Sequence, residues 1–330
     1  MKKEPLVSVI IPTYNREKKL PKAINSVIKQ TYKKWELIVV DDRSTDDTQE
    51  LVKRYVSKDK RIRYVKNTHK QGPSGARNQG MELAKGKYIA FLDSDDEWLK
   101  HHLKESVAVL DKGTVDLCAS LVYERTKGKL ISILRENELK RAIRHLKPII
   151  KNKKFYYFDY RLCEYWFWNK FRFSQISTFI FKKDILTEAG YFNEGLFAGE
   201  DMEFLYRLLI SSNLCFIKDH HSIYNEGEDN LSYFRGPCDI QKQFFLEKQH
   251  IKTRRAIKNN LKKFKKLNTC NVIKGCNKCI SSCYFSIGYI NRKTNKLKSL
   301  YYYLISLCYY YDPIQLKAIK KLFIPSYYKK

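Results

Sequence analysis

The chain has 330 residues, of which 43% are hydrophobic, so it can bury a large core and global disorder is excluded. It carries 64 Lys and Arg against 35 Asp and Glu, and the formal net charge is +29. A chain so basic is expected to meet an anionic partner such as nucleic acid, an acidic lipid surface or a polyanionic glycan.

The first part of the chain alternates between two kinds of pattern. Four apolar runs predict buried strands: "LVSVII", "WELIVVDD", "RIRYVKN" and "KYIAFLD". Three segments between them predict helices: "REKKLPKAINSVIKQ", "STDDTQELVKRYV" and "GPSGARNQGMELAKG", the last ending at Gly86. This alternation predicts a doubly wound α/β sheet whose ligands bind beyond the carboxyl ends of the strands.

Beyond Trp98 the pattern is less regular. Helices are predicted at "HHLKESVAVLDKG" and "GEDMEFLYRLLISS", and strands at "VDLCASLVYE", "ISTFIFKKDIL", "LCFIKD" and "HSIYNE". Residues 125–173 are interpreted as an irregular insertion, basic and then aromatic, whose rings suit either sugar binding or a core. Residues 237–330 predict helices rich in Lys, Tyr and Leu. We therefore expect two domains, residues 1–236 and 237–330.

The charge is concentrated in the second of these regions. Residues 237–330 hold 21 Lys and Arg but 3 Asp and Glu, an excess of 18 positive charges. With "LYYYLISLCYYY", this composition is typical of a segment that binds an anionic membrane surface. Alternatively, the tyrosines pack a helical hairpin and the lysines are merely solvated. The apolar runs are too short for a signal peptide or a bilayer span of about 20 residues, which predicts a cytoplasmic protein, peripheral on the membrane at most.

Nine cysteines in a chain with no export signal are expected to be reduced thiols. Four of them cluster at Cys270, Cys276, Cys279 and Cys283. Three of the four share one helical face, which favours small buried hydrophobic side chains. A structural zinc site is the alternative, although a single CxxC pair is a weak signal for zinc.

Acidic residues follow two predicted strands, in "VVDD" and in "FLDSDDEW". Carboxylates this close together repel one another unless a cation or solvent relieves the crowding. One interpretation is a solvated turn whose Asp residues stabilise a helix N-terminus. The other is a site for a hard divalent cation, Mn²⁺ or Mg²⁺, which prefers carboxylate oxygens.

Six motifs in order show a resemblance to the family-2 inverting glycosyltransferases. They are "VSVIIPTYNR", "VVDDRSTDDT", "GPSGARNQG", "FLDSDDEW", "AGYFNEGLFAGED" and "YNEGEDNLS", and the resemblance spans roughly residues 5–235. It implies the GT-A fold, a doubly wound mixed α/β sheet, here followed by a helical C-terminal region. It also implies that Asp93-Ser94-Asp95 is the metal-binding DXD motif of that family.

The resemblance assigns roles to individual residues. Asp95 is the direct metal ligand, Asp93 shares the metal or holds the ribose, and Asp96 orients the site. Tyr14 stacks on the base and Asp42 accepts a hydrogen bond from it, which favours a UDP-sugar. The full set expected to bind the donor nucleotide is Pro12, Thr13, Tyr14, Asn15, Asp41, Asp42, Arg77, Asp93 and Ser94.

The "GED" stretch is expected to supply the catalytic base. Inversion by direct displacement requires the acceptor hydroxyl to lose its proton, and a carboxylate can take that proton. The resemblance places this role on Asp201, with Glu200 as its neighbour. Helix N-capping is the alternative role for both residues.

One segment departs from the family pattern. Where many relatives have Arg and His before a Ser, "YNEGEDNLS" has Asn225 and Gly227, so the third protein ligand of the metal is undefined. His220 and His221 lie just upstream and are candidate substitutes, although a lone His is more often structural.

We therefore expect a metal-dependent transferase that moves a sugar from a nucleotide donor to a glycan or lipid-linked acceptor in lipopolysaccharide or capsule synthesis. Nucleic acid is not expected as a partner. Two alternatives remain, a non-catalytic glycan- or membrane-binding relative and a metal-dependent nucleic-acid or nucleotidyl enzyme.

Overall fold

The computed structural model describes residues 4–132, 140, 144, 148–151, 153–159, 161–162, 175–225, 240–261 and 269–322. These residues form two compact units, the first ending at Asn225 and the second beginning at Ile240. None of the described helices is both long enough and apolar enough to cross a bilayer.

The first unit contains one sheet, which has eleven strands in its described part. The strands are β1 (Val7–Thr13), β2 (Trp35–Asp41), β3 (Ile62–Lys66), β4 (Tyr88–Phe91), β5 (Glu97–Trp98), β6 (Leu117–Thr126), β7 (Lys129–Ser132), β8 (Ile150–Lys151), β9 (Phe155–Phe158), β10 (Ile180–Lys182) and β11 (Leu214–Asn225). Their order is β3-β2-β1-β4-β10-β6-β11-β9-β8, while β5 pairs with β11 and β7 with β6. The sheet is mixed: the first four strands are parallel and β10 runs antiparallel between β4 and β6.

Helices connect and cover these strands. They are α1 (Leu20–Ile28), α2 (Thr48–Lys58), α3 (Pro73–Leu83), α4 (His102–Leu110), α5 (Leu186–Ala189) and α6 (Glu200–Ser211). Every residue of β1, β2 and β4 is buried, as expected where helices cover both faces of a parallel sheet. The continuous apolar runs in the sequence have this physical cause.

The strand order reverses at β1, which has β2 on one side and β4 on the other. Loops after two such strands leave the sheet in opposite directions, so a crevice opens at their carboxyl ends. Helix α3 packs closely on β1 there, because Gly80 has no side chain: a Cβ at that position would lie 2.4 Å from Ile10 Cγ2.

Most predicted elements are confirmed, with four corrections. The strand predicted at "ISTFIFKKDIL" is β10 alone, with short 3₁₀ helices at Ile176–Thr178 and Lys183–Ile185 on either side. Helix α3 ends at Leu83, before Gly86. The two strands predicted at "LCFIKD" and "HSIYNE" are one strand, β11, whose pairing with β6 shifts register after Ile217 and again after His220. The 125–173 insertion is not wholly irregular, since β7, β8 and β9 extend the sheet, and Tyr156 and Phe158 are buried.

The second unit is helical in its described part, as predicted. It contains α7 (Ile240–Leu261), α8 (Thr269–Asn291), α9 (Lys296–Tyr309) and α10 (Pro313–Leu322). A small core forms around Ile251, Ile280, Cys283 and Ile287. Cys276 and Cys279 are also buried, as expected for one apolar helix face, whereas the side chain of Cys270 lies outside the described residues.

The tyrosines of the second unit are divided between core and surface. Tyr303 is buried against α8, where the Gly288 position leaves room for its ring. Tyr301 and Tyr311 are 59% and 63% exposed. Packing within the helical unit therefore applies to Tyr303, while a role at a membrane surface stays a prediction for the exposed tyrosines.

Candidate active site at the carboxyl edge of the sheet

A buried guanidinium lies at the centre of the site. Arg77, on α3, is 5% exposed and donates hydrogen bonds from Nη2 to Asp93 Oδ1 (2.8 Å) and from Nη1 to Glu200 Oε1 (3.0 Å). Burial disfavours its charge, but the negative charges of Asp93 and Glu200 outweigh burial and raise the pKa of Arg77 above its ordinary value. Arg77 thus joins the turn after β4 to the start of α6.

The acidic turn consists of the four residues from Asp93 to Asp96, which follow β4. Burial and the charge of Asp93 raise the pKa of Asp95 to about 6, while Arg16 opposes the shift. Burial and both neighbouring carboxylates hold the pKa of Asp96 well above its ordinary range. Ser94, between them, is buried. The turn therefore concentrates negative charge that a bound cation would stabilise.

Ser177 anchors this turn and was missed at the level of sequence. Its hydroxyl donates to Asp96 Oδ2 (2.6 Å) and accepts the main-chain N–H of Asp93 (3.2 Å). Its carbonyl accepts the Trp98 indole N–H at 2.6 Å. In the sequence, Ser177 lies in the strand-like run "ISTFIF", which carries no signal for such a role.

Asn225, the last residue of β11, holds the turn from the other side. Its Nδ2 donates to the main-chain oxygen of Asp95 (2.7 Å) and to Glu97 Oε1 (3.2 Å). Arg125 on β6 donates to both Asn225 Oδ1 and Glu97 Oε1. Asn225, which stands where many relatives have Arg, thus supplies a neutral amide that braces the acidic turn. Gly227, the other departure from the family pattern, lies outside the described residues.

Glu200 and Asp201 open helix α6. The residue before them, Gly199, has φ of 78°, a left-handed conformation that glycine adopts without strain. Burial and the charge of Asp201 raise the pKa of Glu200 to about 7, although Arg77 opposes this. Burial likewise raises the pKa of Asp201, whose Oδ1 accepts the Met202 N–H at 2.7 Å. Each carboxylate is thus a stronger base than a solvated one.

The residues after β1 form a second part of the site. Pro12 and Thr13 are buried at the strand end, and Thr13 Oγ1 has no hydrogen-bond partner within the described part of the chain. Tyr14 is 48% exposed. Asn15 has φ of 51°, and its Oδ1 accepts the Thr45 N–H at 2.8 Å, which ties this loop to the one after β2.

Asp41 and Asp42 lie at the end of β2 and are both buried. Asp41 accepts hydrogen bonds from the Tyr64 hydroxyl (2.6 Å) and the Ser44 N–H (2.9 Å). Asp42 accepts from Asn67 Nδ2 (2.6 Å) and the Gly72 N–H (2.7 Å), and burial raises its pKa. A carboxylate has about four acceptor positions, so each retains capacity for a ligand donor.

The two histidines that were candidate metal ligands have other partners. His221 is buried, and its ring nitrogens contact His102 Nδ1 (3.1 Å) and Glu105 Oε2 (3.3 Å). His220 stacks on Tyr123 with ring centroids 3.7 Å apart. Their described contacts assign them to packing against α4 and β6 and not to the acidic turn.

The predicted carboxylates thus fall into two groups. Arg77 links Asp93 to Glu200 directly, with Asp95, Asp96 and Asp201 adjacent along the chain. Asp41 and Asp42 lie apart from these and accept hydrogen bonds from β3 and from the loops after β2 and β3. Oxygen ligands crowded by like charge suit a hard divalent cation, so the acidic turn fits the metal expected from the sequence.

Comparison with known proteins identifies a family. The model of Glycosyl transferase family 2 matches residues 8–185, more than half of the chain. An Escherichia coli protein named UDP-Glc:alpha-D-GlcNAc-diphosphoundecaprenol beta-1,3-glucosyltransferase WfgD is 43% identical over 110 residues, which are 33% of this chain and 43% of that protein. This chain spans 40–43% of the length of such curated relatives.

Solved structures show the same fold. S. aureus TarS 1-349 in complex with UDP-GlcNAc has a TM-score of 0.59 at 20% identity, covering 98% of this chain and 93% of its own. Mannosyltransferase PcManGT from Pyrobaculum calidifontis, in complex with GDP-Man and Mn²⁺, has a TM-score of 0.53 at 17% identity, with coverage of 97% and 85%. The mixed α/β architecture expected from the sequence is confirmed.

Proposed function

Because the chain belongs to glycosyl transferase family 2 and has the GT-A fold, we propose that it transfers a sugar from a nucleotide-sugar donor, with inversion, to a hydroxyl of a glycan or lipid-linked acceptor. The pathway we propose is bacterial surface polysaccharide synthesis, in keeping with relatives named for teichuronic acid and colanic acid biosynthesis. A UDP-sugar is the favoured donor.

The observation that carries this proposal is the Arg77 bridge. It brings the acidic turn, where a donor diphosphate and a metal would bind, beside the two carboxylates that open α6. Transfer to a hydroxyl needs these two functions next to each other, one at the leaving group and one at the nucleophile.

Asp201 is the residue we assign as base, with Glu200 beside it. A base works best when its pKa lies near the working pH, and burial moves both carboxylates in that direction. The proton of the acceptor hydroxyl passes to a carboxylate oxygen of Asp201 as that hydroxyl attacks the anomeric carbon. Glu200 stays paired with Arg77 and holds the start of α6 in place.

Asp95 and Asp93 are the residues we assign to the divalent cation, Mn²⁺ or Mg²⁺. Such a cation, when bound, stabilises the negative charge that develops on the leaving diphosphate. Asp96 is not assigned to the cation, since its carboxylate accepts the Ser177 hydroxyl. We assign it to positioning the turn. Arg77 keeps a fixed positive charge beside Asp93.

The loops after β1 and β2 are the proposed nucleoside site. Tyr14 offers an exposed ring for stacking, and Thr13 Oγ1 is a buried polar atom that a ligand can partner. The remaining acceptor capacity of Asp42 suits the ring N–H of uracil. Pro12, Asn15, Asp41 and Ser94 complete the proposed set.

The second unit is the part we propose to meet the membrane. Leu297, Tyr301, Leu304 and Cys308 are exposed and recur at helical spacing along one face of α9. Lysines flank this apolar face, and such a combination favours the interface of an anionic bilayer. A protein bound there would be at the same membrane surface as a lipid-linked acceptor.

The proposal is tested by nucleotide release from a panel of UDP-sugars with purified protein, in Mn²⁺ and in EDTA. We expect slow turnover of one donor that EDTA and Asp95→Asn abolish, while Asp184→Asn, on an exposed residue outside the proposed site, leaves it unchanged. Asp201→Asn should retain donor binding and lose transfer.

Other results separate the alternatives. Metal-dependent UDP binding without turnover of any donor, even with acceptor extracts, identifies a non-catalytic relative. Turnover of nucleoside triphosphates or nucleic acid identifies a nucleotidyl enzyme. Failure to bind UDP with Mn²⁺ removes the donor-site assignment altogether.

A further inference from the structure

A second group of metal-ligating side chains lies in the helical unit, separate from the residues assigned above. Glu247 and His250 are three residues apart on α7, and Cys283 is on α8. A carboxylate oxygen, an imidazole nitrogen and the thiol sulfur of these residues all lie within 4.8 Å of one another. Within the described part of the chain this is the one such group of three or more.

We propose that Glu247, His250 and Cys283 form a zinc site that links α7 to α8, with water as the fourth ligand. Thiolate, imidazole and carboxylate are the ligand types that Zn²⁺ selects, and three protein ligands plus water complete a tetrahedron. Two ligand atoms on one tetrahedral zinc stand about 3.4–3.6 Å apart. Zinc binding therefore requires the present spacing, up to 4.8 Å, to close by rotation of the exposed His250 or the half-buried Glu247.

Cys283 is buried on α8, its sulfur lies within 4.8 Å of a Glu247 carboxylate oxygen, and it must lose its thiol proton to bind zinc. Zinc binding replaces that proton: the sulfur–hydrogen bond breaks, a zinc–sulfur bond forms and one proton leaves to solvent.

The geometry also gives the ion a route of entry. His250 is exposed, Glu247 is intermediate and Cys283 is 8% exposed, so the site opens to solvent on the histidine side. The site uses a single member of the cysteine cluster. Cys276 and Cys279 are buried on the same helix, but neither belongs to a group of three metal-ligating side chains within the described residues.

The test uses the full-length protein, treated with a chelator and then titrated with Zn²⁺ and with Co²⁺. The background carries Asp95→Asn, so that the acidic turn does not contribute a second site. We expect one equivalent of tightly bound metal, release of protons on binding, tighter binding at higher pH and a thiolate-to-cobalt charge-transfer band in the near ultraviolet. Thermal unfolding should also shift upward with Zn²⁺.

Variants decide whether these three residues are the ligands. His250→Ala is at an exposed position and should fold, yet lose the metal, the band and the thermal shift; Cys283→Ala should lose them as well. Cys279→Ala, one turn away, should keep all three. Absence of metal binding overturns the proposal, as does binding that survives His250→Ala or that requires Cys270 or Cys279 instead.

Discussion

Arg77 sets the electrostatic balance of the site at the scale of single residues. Its guanidinium is buried with carboxylates on both sides, and it has partners 16 and 123 residues away in the sequence. A planar, permanently charged fork fits two carboxylates at once, which a lysine does not. Removing it leaves two acids in a buried place without a counter-charge.

Arg77→Met is therefore expected to lower the free energy of unfolding by about 3–5 kcal/mol, because a broken buried ion pair leaves uncompensated charge. The measurement is urea denaturation of the purified protein. Arg54→Met, on the exposed face of α2, is the matched control and should change stability by less than about 0.5 kcal/mol. Equal losses for the two variants would contradict the bridge.

Glu200 makes stability depend on pH. Its pKa is about 7 in the folded protein, against an ordinary 4.5, so the folded state binds a proton that the unfolded state has released. The contribution of this group is complete below about pH 4.5 and is lost as the pH rises through about 7, by a few kcal/mol. Glu200→Gln should make this decline shallower in metal-free protein, measured by urea denaturation across that range, while the raised pKa values of Asp95, Asp96 and Asp201 cause the part that remains. The exposed Glu50→Gln should leave the decline intact, and a decline of the same size in Glu200→Gln would show that Glu200 does not contribute to it.

At the scale of elements, burial determines which strands were predictable. Strands β1, β2 and β4 are covered on both faces, so their apolar runs are unbroken. Strand β11 was predicted as two, because Lys218 and Asp219 interrupt its apolar pattern where the register shifts. The edge strand β7 was missed since its residues are largely exposed and show no buried face.

The site was predictable only as far as local motifs reach. The acidic turn and the start of α6 were each visible, because like charges cluster over a few residues. Their connection through Arg77 spans 123 residues to Glu200, and no local pattern encodes it. The same holds for Asn225, whose contact with Asp95 depends on the pairing of β11 with β6 and β5.

The last residue of β11, Asn225, hydrogen-bonds to the acidic turn, so its replacement should affect metal binding. Asn225→Ala removes the donor to the Asp95 carbonyl and should weaken Mn²⁺ binding by about 10–100-fold, as loss of a supporting group typically does. The measurement is the Mn²⁺ dependence of UDP binding, with folding checked by circular dichroism. Asn213→Ala, an exposed change just before the same strand, is the control. Unchanged affinity for Mn²⁺ in Asn225→Ala would mean that the turn holds its shape without this brace.

At the scale of the molecule, the positive charge of the helical unit and the exposed apolar face of α9 predict binding to an anionic lipid surface. Replacing the exposed apolar residues Leu297, Tyr301 and Leu304 by Ser should abolish co-sedimentation with anionic vesicles. The matched control replaces Leu130 and Ile131, exposed on β7, and should still pellet. Added salt should reduce binding of the unchanged protein. Equal recovery with neutral vesicles, insensitive to salt, would contradict this role.

The 123-residue separation between Arg77 and Glu200 in the sequence has a consequence for folding during synthesis on the ribosome. The early strands and α3 leave the ribosome long before α6 is synthesised, so Arg77 is made well ahead of the carboxylate that completes its pairing. A growing chain can form the loops of the proposed nucleoside site first, but Arg77 pairs with Glu200 only after residue 200 has emerged, and Asn225 braces the acidic turn later still. The proposed sugar transfer should therefore be acquired later in the folding of the first unit than affinity for the proposed nucleotide.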